Sequence, residues 1–348
     1  RWDPARMTGE TALSDDLGFA PGDLERYLKG RLPGFEGLER VERFSGGQSN
    51  PTFRIFGGRG SFVLRKKPGG EILPSAHAVE REFKVISALA ETEVPVPKAY
   101  LLCEDPGVIG TPFYVMEHVE GRVFHDTAMP GLTPEERAAA YDSMNDVMAK
   151  LHMVDWRAVG LEGFGRAGGY FERQTKRWLK QLDLASTRDV SCHRRVGEWL
   201  MAHLPAEDET AVCHGDLRLG NLLFAPEEPR AVALLDWELS TLGHPLADVA
   251  FNCIAYHSTP DEYGGLLGLD IAALGIPGEE SYLQAYYART GRKDFVTPFH
   301  LAFALFRFAV IFEGISARAQ AGNAASEDAE RVGELSVAFA RRAEELVG

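Results

Sequence analysis

The most informative part of the sequence covers residues 214–224, HGDLRLGNLLF, and residues 232–238, VALLDWE. These residues include the groups that phosphoryl transfer requires. They are an acidic residue, an asparagine five positions further on and a second acidic residue after an apolar run. One carboxylate can accept the proton of an attacking hydroxyl, while an amide oxygen and another carboxylate are hard ligands for Mg²⁺. We therefore predict Asp216 as the general base and Asn221 and Asp236 as the metal ligands. Because a short motif also occurs by chance, the alternative is an ordinary turn followed by a loop asparagine.

Short runs of β-branched and aromatic residues flank this stretch and fill most of the chain before residue 118. Apolar residues at helical spacing dominate the rest, and a capping box with proline at the first helical position begins one long helix at residue 133. The pattern predicts an α+β protein with a β-rich lobe, residues 1–117, and a larger, mostly helical lobe, residues 118–348. The predicted strands are 38–44, 52–56, 61–66, 99–103, 112–117, 211–213, 221–224 and 231–235, and the predicted helices are 21–30, one between Ser75 and Pro95, 133–151, several within 170–204 and the tail from about 280.

The composition is that of a globular protein with an excess of acidic residues. The 348 residues include 37 Lys and Arg against 51 Asp and Glu, a net charge of −14. Since neutralising phosphates needs a basic surface, we expect no binding to nucleic acid. The longest apolar run, 301–312, is interrupted by Arg307 and is shorter than the roughly 20 residues that span a bilayer, so we expect no membrane association. Without an apolar leader, and with four cysteines that lack metal-ligand spacing, the sequence predicts a cytoplasmic protein.

A third motif follows at residues 239–250, LSTLGHPLADVA, with the pattern G-x-P-x-x-D-x-A. Together the three motifs resemble the signature of the aminoglycoside phosphotransferase and choline kinase group of small-molecule kinases, over about residues 40–340. The resemblance implies a bilobal protein-kinase-like fold, in which a small antiparallel sheet with one main helix adjoins a larger, mostly helical lobe. It also implies Mg²⁺-dependent phosphoryl transfer from ATP, with GTP as an open alternative. Within this family, Asp248 would hold the catalytic loop and Arg218 would neutralise charge on the transferred group.

Residues 44–52, FSGGQSNPT, fall between the first two predicted strands, where kinases place a loop that covers the phosphates. Glycines let backbone N–H groups approach phosphate oxygens, and a serine hydroxyl can add a further donor. The resemblance therefore implies Ser45, Gly46, Gly47 and Ser49 as nucleotide-binding residues. The loop lacks the G-x-G-x-x-G spacing of protein kinases, so a plain hairpin turn is the alternative.

Three consecutive cations lie at the end of the third predicted strand, where Arg65 and Lys66 are its last residues and Lys67 follows it. Side chains alternate along a strand, so Arg65 and Lys67 share one face and Lys66 lies on the other. The family pattern favours Arg65 as the phosphate-binding cation, with Lys66 as the alternative. Its ion-pair partner would come from the next helix, where Glu82 lies nearer to the apolar face than Glu80 does. We therefore predict an ion pair between Arg65 and Glu82, while a solvated glutamate is the alternative.

The segment 116–119, MEHV, resembles the kinase hinge, which joins the two lobes and binds adenine. Backbone groups rather than side chains make these contacts, so the resemblance implies Glu117 and Val119 as nucleotide-binding positions. The predicted boundary between the lobes falls at the same place.

A local surplus of positive charge bears on the acceptor of the phosphoryl group. Residues 166–203 hold eight Lys and Arg against four Asp and Glu, although the whole chain is negative. Arg173, Lys176, Arg177 and Lys180 fall on one helical face, which would attract phosphate or carboxylate groups and repel a polyamine. A solvated basic surface is the alternative.

The motifs also resemble one branch of the family, the kinase-type domain found with acyl-CoA dehydrogenases, some members of which phosphorylate hydroxyacyl-CoA. We therefore expect a small-molecule hydroxyl acceptor that is anionic, with a hydroxyacyl-CoA as the best single candidate. One alternative is an aminoglycoside 3′-type kinase, whose acidic pocket would bind a polycation. Another is a catalytically silent protein that binds a nucleotide or a partner, although the retention of Asp216, Asn221 and Asp236 argues against it. The sequence leaves the oligomeric state open.

Overall fold

A five-stranded antiparallel sheet forms the first lobe, with strand order β1-β2-β3-β5-β4. The computed structural model describes residues 17–44, 50–58, 60–69, 78–206, 208–320 and 326–348. The strands of the sheet are β1 (Arg40–Arg43), β2 (Thr52–Gly57), β3 (Gly60–Lys66), β4 (Ala99–Cys103) and β5 (Phe113–Glu117). All five predicted strands of this region are present.

Two helices cover opposite faces of this sheet, α1 (Pro21–Leu28) and α2 (Val79–Leu89). Successive side chains of β3 point to opposite faces, so Leu64 packs into the cluster that contains α1, whereas Val63 packs into the cluster that contains α2. Arg65 is therefore expected on the α2 side of the sheet. Here α2 begins at Val79, and Ser75, which the sequence suggests as its start, lies outside the described residues.

The second lobe is mostly helical. The region predicted as helical over 170–204 divides into two helices, because residues 186–190 leave the helical conformation. The helices are α3 (Pro134–His152), α4 (Tyr170–Ala185), α5 (Ser191–Ala202), α6 (Pro245–Cys253), α7 (Ile271–Leu274), α8 (Glu279–Thr290), α9 (Pro298–Arg318) and α10 (Ser326–Val347). The predicted capping box of α3 is present, with Thr133 and Glu136 bonded reciprocally.

Two small antiparallel pairs flank residues 214–221 inside this lobe. They consist of β6 (Ala211–Cys213) with β9 (Thr241–Gly243), and β7 (Leu222–Phe224) with β8 (Ala231–Leu234). The sequence predicted β6, β7 and β8 but missed β9, because three residues are too few to show alternation. Asn221, predicted as the first residue of β7, instead ends a 3₁₀ turn. Loop 214–221 thus joins β6 to β7, and Asp236 follows β8.

The apolar run at 301–312 belongs to α9, which is long and apolar enough by length and composition alone to cross a membrane. Most of this helix is buried inside the protein, where it packs against α4, α5, α6 and α10. Its hydropathy is therefore that of a core helix. Two charged side chains, Arg307 and Glu313, are buried on it.

Candidate active site

The loop between β6 and β7 is held by the buried carboxylate of Asp248 in α6. This carboxylate accepts hydrogen bonds from the His214 N–H at 2.6 Å and the Gly215 N–H at 2.9 Å, and His152 Nε2 lies 3.4 Å away. Burial by itself disfavours the ionised form, but the hydrogen bonds from His152 and Gly215 hold the pKa of Asp248 below its ordinary value. The backbone immediately before Asp216 is therefore fixed by a charged acceptor, as the family resemblance implied.

The side chain of Asp216 is oriented by its neighbours in the same loop. Asn221 Nδ2 donates to the backbone oxygen of Asp216 at 2.8 Å and to its Oδ2 at 2.7 Å. Arg218 Nε lies 3.5 Å from the same carboxylate. The Asp216 side chain keeps 24% of its surface exposed, so it can meet a hydroxyl group from outside.

Arg65, near the end of β3, lies among carboxylates from both lobes. Its Nε is 2.9 Å from Glu82 Oε2 of α2, and its Nη2 is 2.6 Å from Asp236 Oδ1 beyond β8. Although burial favours the neutral form, these two carboxylates hold the pKa of Arg65 above its ordinary value. The structure thus brings together three residues that lie far apart in the sequence, and the ion pair expected between Arg65 and Glu82 is present.

The other two cations of this run lie elsewhere. Lys66 is buried on the opposite face of the sheet, where its Nζ is 3.3 Å from the backbone oxygen of Gly18. Lys67 pairs with Glu80 at 2.9 Å, near the surface. The geometry therefore favours Arg65 over Lys66 as a phosphate-binding cation, because Lys66 faces away from Asp236.

Two residues that sequence reasoning missed complete the surroundings of Glu82. Asn50 Nδ2 donates to Glu82 Oε1 at 2.7 Å, and the hydroxyl of Tyr114 donates to Oε2 at 3.1 Å. All three side chains are buried. Asn50 precedes β2 and Tyr114 lies in β5, so only the register of the sheet brings them to α2. The local signal in the sequence was Asn50, a polar residue two positions before β2.

Asp236 is placed by an unusual backbone conformation. Its φ is +64°, in the left-handed region that aspartate tolerates better than most residues. On either side the chain is anchored, because the His214 ring nitrogen Nε2 lies 2.9 Å from the Leu235 oxygen and the Trp237 ring is buried. Such conformations persist where the surroundings determine them and cluster at functional sites.

The residues predicted as metal ligands fit Mg²⁺ by their chemistry. Asn221 uses Nδ2 for Asp216, which leaves its amide oxygen as the atom that can face a cation. Asp236 adds carboxylate oxygens, one of which contacts Arg65. Carboxylate and amide oxygens are ligands that Mg²⁺ accepts.

A cavity of about 630 Å³ lies between the two lobes, beside these residues. Its polar end is formed by Arg65, Asn221 and Asp236. Apolar side chains from both lobes line much of the rest, among them Val63, Ile86, Met116, Leu223 and Leu234, together with polar ones such as Arg54, His118 and His125. A partly apolar slot that ends at a cation, an amide and a carboxylate suits a flat base at one end and metal-bound phosphates at the other.

Both hinge positions named from the sequence line this cavity, but they differ in availability. The Glu117 N–H is engaged by the Lys98 oxygen at 2.8 Å, so that donor is not available to a ligand. Within the described part of the chain, the Val119 N–H has no hydrogen-bond partner. Ser45, Gly46, Gly47 and Ser49 lie outside the described residues.

The basic face of α4 is only partly neutralised. Lys176 pairs with Glu172 at 2.5 Å, and Arg173 donates to the backbone oxygen of Arg166 at 2.7 Å. Arg177 lies over the Trp178 ring, 5.5 Å from its centroid. In the region that the structure describes, neither Arg177 nor Lys180 has a carboxylate within 4.0 Å.

Comparison with known proteins agrees with this geometry. The chain matches the phosphotransferase enzyme family over residues 40–286. Acyl-CoA dehydrogenase family member 10 of Mus musculus is 44% identical over 329 residues, which cover 92% of this chain and 30% of that protein. Acyl-CoA dehydrogenase family member 11 of Homo sapiens is 42% identical over 335 residues, which cover 92% of this chain and 42% of that protein. The chain therefore spans less than half the length of these curated relatives.

Solved structures show the same fold. A Ralstonia eutropha JMP134 protein described as a "putative aminoglycoside phosphotransferase" has a TM-score of 0.86 at 45% identity, with 94% of this chain and 99% of that chain covered. A spectinomycin phosphotransferase in complex with ADP and spectinomycin has a TM-score of 0.63 at 13% identity, with 93% and 98% covered. The second likeness concerns the fold alone. The expected kinase-like α+β fold is confirmed, and the chain belongs to the phosphotransferase enzyme family.

Proposed function

We propose that this protein is a Mg²⁺-dependent kinase that moves the γ-phosphoryl group of ATP to a hydroxyl of an anionic small molecule, with a hydroxyacyl-CoA as the best candidate. The observation that carries the proposal is the convergence of Arg65, Asn221 and Asp236 at the polar end of one cavity, with Asp216 bonded to Asn221. These residues supply a phosphate-binding cation, two metal ligands and a base.

The donor half of the reaction uses the cavity between the lobes. The apolar slot would hold the base of the nucleotide, and the Val119 N–H could donate a hydrogen bond to that base. Arg65, fixed by Glu82, would meet the phosphates at the polar end. Mg²⁺ bound by Asn221 and Asp236 would offset the charge of the phosphate oxygens. The spectinomycin phosphotransferase that shares this fold is in complex with ADP, which supports the use of a nucleotide.

The transfer step would depend on Asp216. Its carboxylate accepts the proton of the acceptor hydroxyl while that oxygen forms a bond to the γ-phosphorus, and the bond from the γ-phosphorus to the bridging oxygen breaks to release ADP. Arg218, 3.5 Å from Asp216, would offset the charge that develops on the transferred group.

The anionic acceptor is supported by charge near the catalytic loop. Arg177 and Lys180 lack carboxylate partners among the described residues, and Arg177 lies over Trp178. The Trp178 ring in turn lies 5.8 Å from Arg307, which contacts the loop residue Gly215. Uncompensated cations at this position would favour a phosphate or carboxylate over an aminoglycoside.

The names of the relatives favour the same acceptor class. Proteins over 40% identical to this chain are named acyl-CoA dehydrogenase family members, and the match covers less than half of each. An enzyme named for acyl-CoA substrates is therefore joined to a segment like this one. We take this as support for an acyl-CoA that carries a hydroxyl group.

The test is ADP release from Mg·ATP with a panel of acceptors, hydroxyacyl-CoAs of several chain lengths beside kanamycin-like aminoglycosides. Mass spectrometry of the products shows whether phosphate has been added, and Asp216→Asn serves as the matched control. Release of ADP and product formation with a hydroxyacyl-CoA would support the proposal. Preference for aminoglycosides would overturn the anionic acceptor, and Mg·ATP binding without transfer to any hydroxyl would overturn the kinase activity itself.

A further inference from the structure

Arg307 is a buried charge in the middle of the apolar helix α9. Its neighbours along the helix, Phe306 and Phe308, belong to the hydrophobic core, and the charged Arg307 is buried as well, with only 8% of its surface exposed. Among the described residues, no carboxylate lies within 4.0 Å of its guanidinium group. A guanidinium group stays charged in proteins, so burying one without an ionic partner costs free energy. Other interactions of Arg307 must offset that cost.

The contacts of Arg307 converge on the catalytic loop. Its Nη2 donates to the backbone oxygen of Gly215 at 2.6 Å. The rings of Trp178 and Phe251 lie 5.8 Å and 5.3 Å from its guanidinium carbon, close enough for cation–π attraction. Among the described residues, the one oxygen to which this buried cation donates a hydrogen bond thus belongs to the residue directly before Asp216.

Gly215 is consequently held from two sides. Its N–H donates to Asp248 of α6, and its oxygen accepts from Arg307 of α9. Gly215 has a φ of +83°, and a Cβ at this position would lie 2.7 Å from the Leu239 oxygen. Glycine is therefore required here, and because glycine is the most flexible residue, its conformation depends on these two anchors.

We propose that Arg307 is a positioning residue, which fixes the peptide group between Gly215 and Asp216 and so aims the Asp216 carboxylate at the acceptor hydroxyl. This inference rests on the proposed function for its kinetic consequence, but its structural part stands independently. Small displacements of a reacting group cost large factors in rate, so an enzyme whose Gly215 is anchored by Asp248 but not by Arg307 should turn over more slowly. Nucleotide binding involves other residues and should persist.

A role in helix packing alone would predict something different. Loss of a buried contact in α9 would then lower stability without altering the catalytic loop. Glu313 supplies the matched control, because it is fully buried on the same helix and bonds to Thr187 and Arg188 instead of the loop. Glu313→Gln should therefore weaken α9 and leave the loop unchanged.

The experiment compares Arg307→Met, Arg307→Lys and Glu313→Gln in the full chain. Hydrogen exchange, read by mass spectrometry, is followed in peptides that cover residues 211–221. We expect faster exchange in this segment for Arg307→Met, an intermediate rate for Arg307→Lys, which keeps a charged donor, and no change for Glu313→Gln. Unchanged exchange in Arg307→Met, or equal acceleration by Glu313→Gln, would overturn the proposal.

Kinetics on the same variants give the second readout. With an acceptor found in the panel above, kcat of Arg307→Met should fall by about 10- to 100-fold while the KM for ATP stays within a factor of two or so. Arg307→Lys should recover part of the loss. An unchanged kcat would overturn the inference. If the wild-type protein transfers no phosphoryl group, the proposed function fails, and the exchange experiment still decides whether Arg307 holds the loop.

Discussion

Replacement of Glu82 by glutamine should remove the negative charge that balances Arg65 and keep the hydrogen bonds that the side chain makes. Glu82 is 1% exposed and accepts hydrogen bonds from Asn50 and Tyr114. Glutamine keeps the shape, and Asn50, whose Oδ1 has no partner in the described structure, can turn its amide group to accept the new N–H. The main loss is then the negative charge 2.9 Å from Arg65.

The size of the effect follows from what remains beside Arg65. Removal of one partner of a buried ion pair costs about 3–5 kcal/mol. Because Asp236 stays 2.6 Å from Arg65, we expect the lower end, a loss of about 3 kcal/mol in the free energy of unfolding. The remaining pair should also draw the Asp236 carboxylate away from the metal, so the KM for Mg·ATP should rise.

Urea unfolding followed by circular dichroism measures the loss, and the neighbouring Glu80→Gln is the control. Glu80 lies on the same helix, but its side chain is 38% exposed and its pair with Lys67 is near the surface. Such pairs contribute about 0–1 kcal/mol. Equal losses in the two variants, both below about 1 kcal/mol, would show that Glu82 does not hold Arg65 in the site.

Three further predictions concern the metal, the acceptor and pH. Asp236→Ala should abolish Mg²⁺-dependent nucleotide binding as well as turnover, and unchanged Mg·ATP affinity by calorimetry would exclude the assigned role. Reversal of Arg173 and Arg177 to Glu should raise the acceptor KM several-fold while the KM for ATP stays constant, and the effect should shrink at high salt. Unaltered acceptor kinetics would show that the basic face of α4 does not bind the acceptor. Burial, with the neighbouring His244, lowers the pKa of His300 from 6.5 to about 4, so the unfolded chain binds a proton that the folded chain does not. The stability that neutral His300 contributes should be fully present above pH 6.5 and be lost, by about 3 kcal/mol, as the pH approaches 4. His300→Gln, which keeps the capping acceptor, should therefore lose less stability than the wild type in unfolding experiments across this range.

The elements that local patterns determine were predictable from the sequence. Arg65 and Lys66 were separated by strand alternation alone, and the structure places them on opposite sides of the sheet. Helical spacing likewise favoured Glu82 over Glu80, because Glu82 faces the sheet and Glu80 does not. Asp216 and Asn221 lie in one short loop, so their proximity was expected from their spacing.

Contacts that depend on tertiary structure were not predictable. Asn50 and Tyr114 meet Glu82 only because β2 and β5 flank β3, and Arg307 reaches Gly215 from a helix 92 residues further along the chain. The sequence showed Arg307 merely as an interruption of an apolar run. Charge counts were similarly incomplete, because they could not show that Lys176 is neutralised by Glu172.

The proposed mechanism can be tested by measuring transfer of the γ-phosphoryl group of ATP to a hydroxyacyl-CoA, in the wild-type protein and in Asp216→Asn. We expect the wild type to yield ADP and phosphorylated acceptor in equal amounts. Asp216→Asn should bind Mg·ATP nearly as well, because Asn221 and Asp236 are intact, yet turn over about 10²–10⁴ times more slowly. Near wild-type turnover by Asp216→Asn on an acceptor that the wild type phosphorylates would contradict the role of Asp216 and, with it, the proposed mechanism.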